Sequence, residues 1–171
     1  MLDTFTHIKT LGHGAFGTVT LVRSTQSHKR YVVKEIATDD NHPEERADAL
    51  KEAVLVSSLR HQNIVRLFSA AEQDKKIFLL MEYGDAGDLE KLIRNAATPF
   101  SEAMIIDVFT QLCLAVKYIH NRKILHRDIK PSNVFLARGG IVKLGDFGFA
   151  REMSSTRAES MTYLGTPFYI A

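Results

Sequence analysis

His126-Arg127-Asp128-Ile129-Lys130-Pro131-Ser132-Asn133 follows the apolar, helix-like run 108–119 and precedes the strand-like Val134-Phe135-Leu136. The octapeptide therefore presents a carboxylate, an ammonium and an amide together at the end of an element, the set of groups that phosphoryl transfer draws on. By itself it also reads as a plain charged loop between a helix and a hairpin. What surrounds it decides between the two.

Upstream, residues 5–36 read as a three-stranded antiparallel meander, with alternation at Val19, Leu21 and Arg23 and a β-branched run at Tyr31-Val32-Val33-Lys34-Glu35-Ile36. The first two strands flank Gly12-His13-Gly14-Ala15-Phe16-Gly17-Thr18-Val19. Glycines in such a string let backbone N–H groups approach phosphates, although a simple glycine turn fits the eight residues equally well. Pro43, with Glu44 and Glu45, suits the first turn of a helix reaching about Leu59 or Arg60, whose one face carries Ala49, Glu52, Val56 and Leu59. Ile64–Ala70 and Lys76–Met81 predict two more strands, making a five-stranded antiparallel sheet with one helix. Residues 82–87 read as a linker. After it Asp88 caps a short helix, Ser101 caps a long one to about His120, and the chain becomes mainly helical, then rich in loops. The Ser/Thr-rich 154–162 segment lacks periodicity and reads as a loop.

The composition, 45% apolar and 25% charged, is that of an ordinary globular protein, and a formal charge of +2 gives no footprint for nucleic acid. One cysteine, Cys113, excludes an internal disulfide; its apolar helical setting predicts a buried structural thiol. No stretch is expected to span a membrane, and neither a leader nor a basic start is visible, so a cytoplasmic protein is expected, with nuclear or cytoskeletal association as the alternative.

Taken in order, the glycine string, Lys34, Glu52, the 126–133 octapeptide and Asp146-Phe147-Gly148 resemble the eukaryotic protein kinases, over nearly the whole chain. Lys130 within the octapeptide and Gly165-Thr166-Pro167 resemble the serine/threonine branch. His61-Gln62-Asn63-Ile64-Val65, Met81-Glu82-Tyr83 and Gly87-Asp88-Leu89 are most similar to the NIMA-related (Nek) family. The resemblance implies an α+β two-lobe fold: an N-lobe over 1–81, a hinge at 82–87, and from 88 to 171 the first part of a mainly helical C-lobe. That pattern continues with Ala-Pro-Glu and further helices, so the 171 residues are expected to be a fragment lacking roughly a third of the domain, including what covers the apolar side of the 101–120 helix.

The resemblance also assigns roles. Asp128 would meet the acceptor hydroxyl, Lys130 would face the transferred phosphate, and Asn133 and Asp146 would hold Mg²⁺. Lys34, paired with Glu52 rather than Asp48 or Glu35, would place the phosphates of ATP. ATP would further be bound by Leu11, Gly12, Gly14, Gly17 and Asp88, with adenine between Val19 and Val32 above and Phe135 below, Glu82 and Gly84 at the hinge, and Met81 guarding the pocket behind it. His126, Phe147, Val56 and Leu67 match an apolar stack. Thr162 is the expected regulatory phosphorylation site, with Arg127 and Arg151 receiving its phosphate and Thr166 serving as a structural hydroxyl. Protein substrates are expected, with serine preferred over threonine because Phe149 follows the Asp-Phe-Gly tripeptide; no nucleic-acid or membrane partner is expected. Two alternatives belong to other classes: a nucleotide-binding pseudokinase or inactive fragment acting as a binding module, and a dinucleotide-binding oxidoreductase. The strand that follows Gly17 weighs against the latter, since its glycine string opens a helix.

Overall fold

The computed structural model describes residues 4–14, 17–37, 43–147 and 151–152. The chain divides into two compact units, the first made of Met1–Leu59 with Arg66–Tyr83 and the second of Arg60–Val65 with Gly84–Ala171.

The first unit is built on a five-stranded antiparallel sheet. Its strands are β1 (Phe5–Gly14), β2 (Gly17–Ser24), β3 (Arg30–Ala37), β4 (Leu67–Gln73) and β5 (Lys76–Glu82), in spatial order β1-β2-β3-β5-β4. Helix α1 (Pro43–Ser58) lies between β3 and β4 in sequence and contacts β4 and β5. The meander and the single helix are those expected. The β4–β5 connection is tight, because Asp74 and Lys75 adopt φ of 50° and 59°. That left-handed pair closes a two-residue hairpin between the paired Gln73 and Lys76. The core combines Ala53 and Val56 of α1, and Leu59 just past its end, with the sheet's Leu21, Val32, Leu67, Ile77 and Leu79, all buried.

Strand β4 begins at Leu67 rather than Ile64, and the reason is long-range. Residues 60–65 belong to the second unit: Val65 N–H donates to Leu144 O at 2.9 Å, Leu144 N–H to Asn63 O at 2.9 Å, and Ile64 bridges Leu144. Buried Asn63 adds two bonds from its Nδ2, to Gln111 Oε1 and Val142 O, both 2.8 Å. A buried amide satisfied in this way holds its segment firmly, since an unpaired donor there would cost about 1–3 kcal/mol.

The second unit contains α2 (Leu89–Arg94), α3 (Glu102–His120), β6 (Ile124–Leu125), β7 (Val134–Ala137), β8 (Ile141–Leu144) and β9 (Arg151–Glu152); β7 pairs with β8 and β6 with β9. Both expected caps are present. Asp88 accepts from Lys91 N at 2.8 Å, and Ser101 accepts from Met104 N at 3.3 Å. The segment after Tyr83 is laid along β7, with Ala86 N–H donating to Leu136 O and Leu136 N–H to Gly87 O, and Asp85 receives the Arg138 backbone N–H at 3.0 Å and Nε at 2.8 Å.

Two expectations about α3 need correction. Cys113 is exposed, not buried. Only Ala115 and Ile119 of this helix are buried, and Cys113, two residues from Ala115, points away from that edge. The exposed side carries Ile105, Ile106, Phe109 and Leu114, so α3, with a mean hydropathy of 1.3, is by length and composition long and apolar enough to cross a membrane, where no such stretch was expected. Its polar Gln111 nevertheless bonds within the unit, to Asn63, Gly140 O and the Val142 N–H.

Candidate functional site

Each unit assembles its share of the predicted residues separately. In the first, strand register does the work. Lys34 stands opposite Val19 on one side and Leu79 on the other, and Val32 stands opposite Leu21 and Met81. Directly opposed residues share a face and alternate residues return to it, so Val19, Val32, Lys34 and Met81 lie on one face of the sheet. Lys34 is buried there. Glu35 points to the other face, where its carboxylate meets Lys76 Nζ at 2.7 Å, so Glu35 is committed elsewhere. Glu52 and Asp48 lie on α1 with their side chains outside the described residues, and the expected pairing of Lys34 with Glu52 lies outside them too.

The glycine string forms the β1–β2 hairpin: Gly12 opposes Val19, His13 opposes Thr18, and Gly14 opposes Gly17. Gly17 is required by geometry. Its φ is +116°, and a Cβ there would sit 1.8 Å from the Glu35 carbonyl oxygen. Gly12 has open space where a Cβ would go. A hairpin, with no helix following, is not the arrangement by which a dinucleotide fold holds a pyrophosphate.

In the second unit the octapeptide is a loop held by bonds of His126, Asp128, Lys130 and Asn133. Lys130, in extended backbone, leads into a 3-10 turn at Pro131–Asn133, where Asn133 N–H donates to Lys130 O at 3.0 Å. That turn brings Asn133 back on Asp128: its Nδ2 donates to the Asp128 backbone O at 2.9 Å and to Oδ2 at 2.8 Å. Lys130 Nζ reaches the same Oδ2 at 2.9 Å. Asp128, only 3% exposed, is thereby fixed in rotation by an ammonium and an amide, and its charge is compensated where burial alone would disfavour it.

His126 sets the backbone beneath this carboxylate. Its Nε2 lies 3.0 Å from Gly145 O, an atom that only accepts, so Nε2 carries the proton. Nδ1 is then the acceptor for the Asp128 N–H at 3.3 Å. Burial holds the His126 pKa below the ordinary histidine value, outweighing the opposing pull of the Gly145 hydrogen bond and of Asp146 and Asp128. The ring also packs on Phe147, centroids 4.7 Å apart and both side chains buried. Val56 and Leu67, the other two members of the expected stack, are buried within the first unit.

Backbone strain marks the same place. Arg127 and Asp146 adopt φ of +65° and +57°, a region that side-chain-bearing residues seldom occupy. Asp146 is exposed at the bend between β8 and Phe147. The carboxylate of Asp146 and the amide of Asn133 fit a hard, oxygen-seeking cation such as Mg²⁺. Both Asn133 contacts with Asp128 are made through its nitrogen, which leaves the side-chain oxygen as the atom suited to a metal. No group of three or more His, Cys, Asp and Glu residues suited to a metal occurs among the described residues, whereas Mg²⁺ bound with a nucleotide needs only one or two protein oxygens.

Phe135 shows a requirement that motif reading did not find. A Cβ on Gly84 would lie 2.9 Å from Phe135 Cβ, and one on Gly145 would lie 2.9 Å from Phe135 Cε2 and 2.8 Å from Val65 Cγ2. Phe135 is thus seated against two glycines. Asp88, predicted to bind ATP, is nearly buried and occupied in capping α2 and pairing with Lys91 Nζ at 2.7 Å. Leu11 is exposed on β1, and Glu82 ends β5, its carboxylate accepting from Arg66 N at 3.2 Å. Thr162, Thr166 and Phe149 lie outside the described residues, as does the Arg151 side chain.

A five-stranded antiparallel sheet with a glycine hairpin and a buried strand lysine in one unit, and a braced aspartate beside a metal-suited asparagine in the other, are together the features of a protein-kinase-like α+β fold. The family model for the protein kinase domain matches residues 5–171, and the chain belongs to that family. Among curated proteins it is 39% identical over 171 residues to the serine/threonine-protein kinase Nek1 of Mus musculus, covering 99% of this chain and 14% of that protein. It is 41% identical to Nek5 of Homo sapiens, covering 99% of this chain and 24% of that protein, and 41% identical to Nek3 of Mus musculus, covering 99% and 33%. The chain thus spans a third or less of the length of these three relatives.

Proposed function

We propose that this chain is the nucleotide-binding and catalytic part of an ATP-dependent protein serine/threonine kinase. The observation that carries the reading is Asp128, buried, and held on one carboxylate oxygen by Lys130 at 2.9 Å and Asn133 at 2.8 Å. In the proposed reaction Asp128 orients the acceptor hydroxyl and takes its proton as the hydroxyl oxygen bonds to the γ-phosphorus and ADP departs. In this reading Lys130, paired with Asp128, offsets charge on the transferred group, and Lys34 positions the nucleotide phosphates from the sheet. Mg²⁺, when bound, supplies neutralisation of phosphate charge, with Asn133 and Asp146 as its protein ligands. The hinge is assigned to 82–87, between the lobes.

A pseudokinase reading is disfavoured by the presence of Lys34, Asp128 and Asp146 together. Serine is the favoured acceptor, a reading that rests on Phe149 in the sequence. Thr162 is the regulatory site, with Arg127 and Arg151 as partners for its phosphate. The proposed location is cytoplasmic, with nuclear or cytoskeletal association as the alternative, and protein rather than nucleic-acid partners accord with the small formal charge of the chain. The test is transfer of labelled γ-phosphate from ATP·Mg²⁺ by the full-length protein to a peptide pair differing only in serine or threonine. Transfer to serine exceeding that to threonine is expected; no transfer to either peptide refutes the kinase reading, and faster transfer to threonine refutes the preference.

A further inference from the structure

We propose that the β2–β3 turn is a docking point for an acidic segment of a partner protein, recognised by Arg23, Lys29 and Arg30 with His28 beside them. The inference goes beyond phosphate transfer and gives these residues a part that the reaction does not require.

Charge is segregated along the first three strands. Between Asp3 and Glu35 the sequence has no carboxylate, while it carries Lys9, Arg23, Lys29, Arg30 and Lys34. Lys34 is buried, but Arg23, His28, Lys29 and Arg30 are all exposed, gathered where β2 turns into β3. Arg23 stands directly opposite Arg30 in the strand register. Like charges so placed work against strand pairing, so two arginines here do nothing for the fold that neutral residues would not do better. Arg30 Cζ lies 5.2 Å from the Tyr83 ring centroid, and this contact steadies its guanidinium. Among the described residues, no ion pair engages Arg23, His28 or Lys29.

The turn beneath these cations is closed by its own hydrogen bonds. Buried Ser24 donates its N–H to Lys29 O at 2.9 Å, and accepts the His28 N–H on its carbonyl at 3.0 Å and the Ser27 N–H on Oγ at 3.1 Å. Thr25 fastens the turn to Thr4 O through both its N–H, at 2.9 Å, and its Oγ1, at 3.1 Å. The cationic side chains thus project from a fixed base, which lowers the ordering cost of binding. Opposed Cα atoms in such a pair lie about 5 Å apart, so one carboxylate can meet both guanidinium groups. The intervening Ser24-Thr25-Gln26-Ser27 offers no apolar side chain to enter a bilayer and no ring on which a base could stack, which favours an acidic peptide over a membrane or a nucleic acid. Arg30 lies four residues along β3 from Lys34, about 13 Å at strand rise, so the docking point is separate from the phosphate-facing lysine.

The experiment measures the Kd of the full-length protein for a labelled oligo-glutamate peptide by fluorescence anisotropy, with an oligo-glutamine peptide, vesicles containing phosphatidylserine and single-stranded DNA as the other ligands. The variants are Arg23→Gln, Lys29→Gln, the triple variant that adds Arg30→Gln to both, and a charge control, Lys117→Gln with Lys123→Gln, two exposed lysines of the second unit. Each single variant should bind oligo-glutamate roughly two- to five-fold more weakly and the triple variant about ten-fold or more, while the charge control stays within about two-fold of wild type. Urea unfolding separates recognition from a structural role, since removing one of two opposed cations should leave the midpoint of Arg23→Gln at or above that of wild type. Failure of wild type to bind oligo-glutamate, equal binding of oligo-glutamine, turn variants that bind as wild type does, or a lowered midpoint in Arg23→Gln would each overturn the proposal. Vesicles or DNA bound more tightly than the peptide, and through the same residues, would overturn the choice of a protein segment. None of these readouts depends on phosphate transfer.

Discussion

Replacing His126 with phenylalanine keeps a ring of similar size against Phe147 and removes both of its hydrogen bonds, the one from Nε2 to Gly145 O at 3.0 Å and the one that Nδ1 accepts from Asp128 N–H at 3.3 Å. Both sites are buried, and leaving a buried donor or acceptor unpaired costs about 1–3 kcal/mol, so the variant should lose roughly 2–6 kcal/mol of unfolding free energy. Asp128 should also lose its backbone anchor, lowering kcat more than it changes ATP affinity. The pH dependence gives an independent check. Folding depresses the His126 pKa, so the unfolded chain binds more protons than the folded one between the folded and the ordinary histidine values. The stability that neutral His126 contributes is present above about pH 6.5 and is lost as pH falls through the folded-state value. Urea unfolding of wild type and His126→Phe at pH 7.5 and at steps down to pH 5 reads both effects. A loss under about 1 kcal/mol at pH 7.5, together with an identical pH slope in the two proteins, would refute the bonding scheme.

Three further outcomes follow from particular contacts. Gly17→Ala, whose Cβ would meet the Glu35 carbonyl oxygen at 1.8 Å, should destabilise by at least about 2 kcal/mol and weaken ATP binding, while Gly12→Ala, with open space, should leave urea stability nearly unchanged. Lys34→Met and Glu52→Gln should each impair productive ATP placement without adding in the double variant, and additive kinetic losses would redirect attention to Asp48. Thr162→Ala should lower the activity of the phosphorylated full-length protein to that of phosphatase-treated wild type with ATP binding intact, whereas equal activity in all three forms would dismiss Thr162 as a switch.

Local chemistry made much of this molecule readable in advance. The meander follows from alternation, and the Asp88 and Ser101 caps follow from side-chain type next to a helical run, whereas the face shared by Val19, Val32, Lys34 and Met81 is fixed by strand register. What was missed depends on contacts between residues distant in sequence. Nothing local tells that Asn63 bonds Val142 O, 79 residues on, or that this draws 60–65 away from β4. Gly145 looks like any glycine until Phe135 and Val65 close over it. Cys113 lies in a helix apolar on most sides, and only the packing of Ala115 and Ile119 shows which edge is buried.

The most direct test of the central claim is the pairing of phosphoryl transfer with ATP affinity in Asp128→Asn of the full-length protein. The amide keeps the shape of the side chain held by Lys130 and Asn133 and removes its capacity to take a proton. The account predicts a fall in kcat of about 10²- to 10⁴-fold with the Kd for ATP·Mg²⁺ within a few-fold of wild type. Turnover near that of wild type would contradict it.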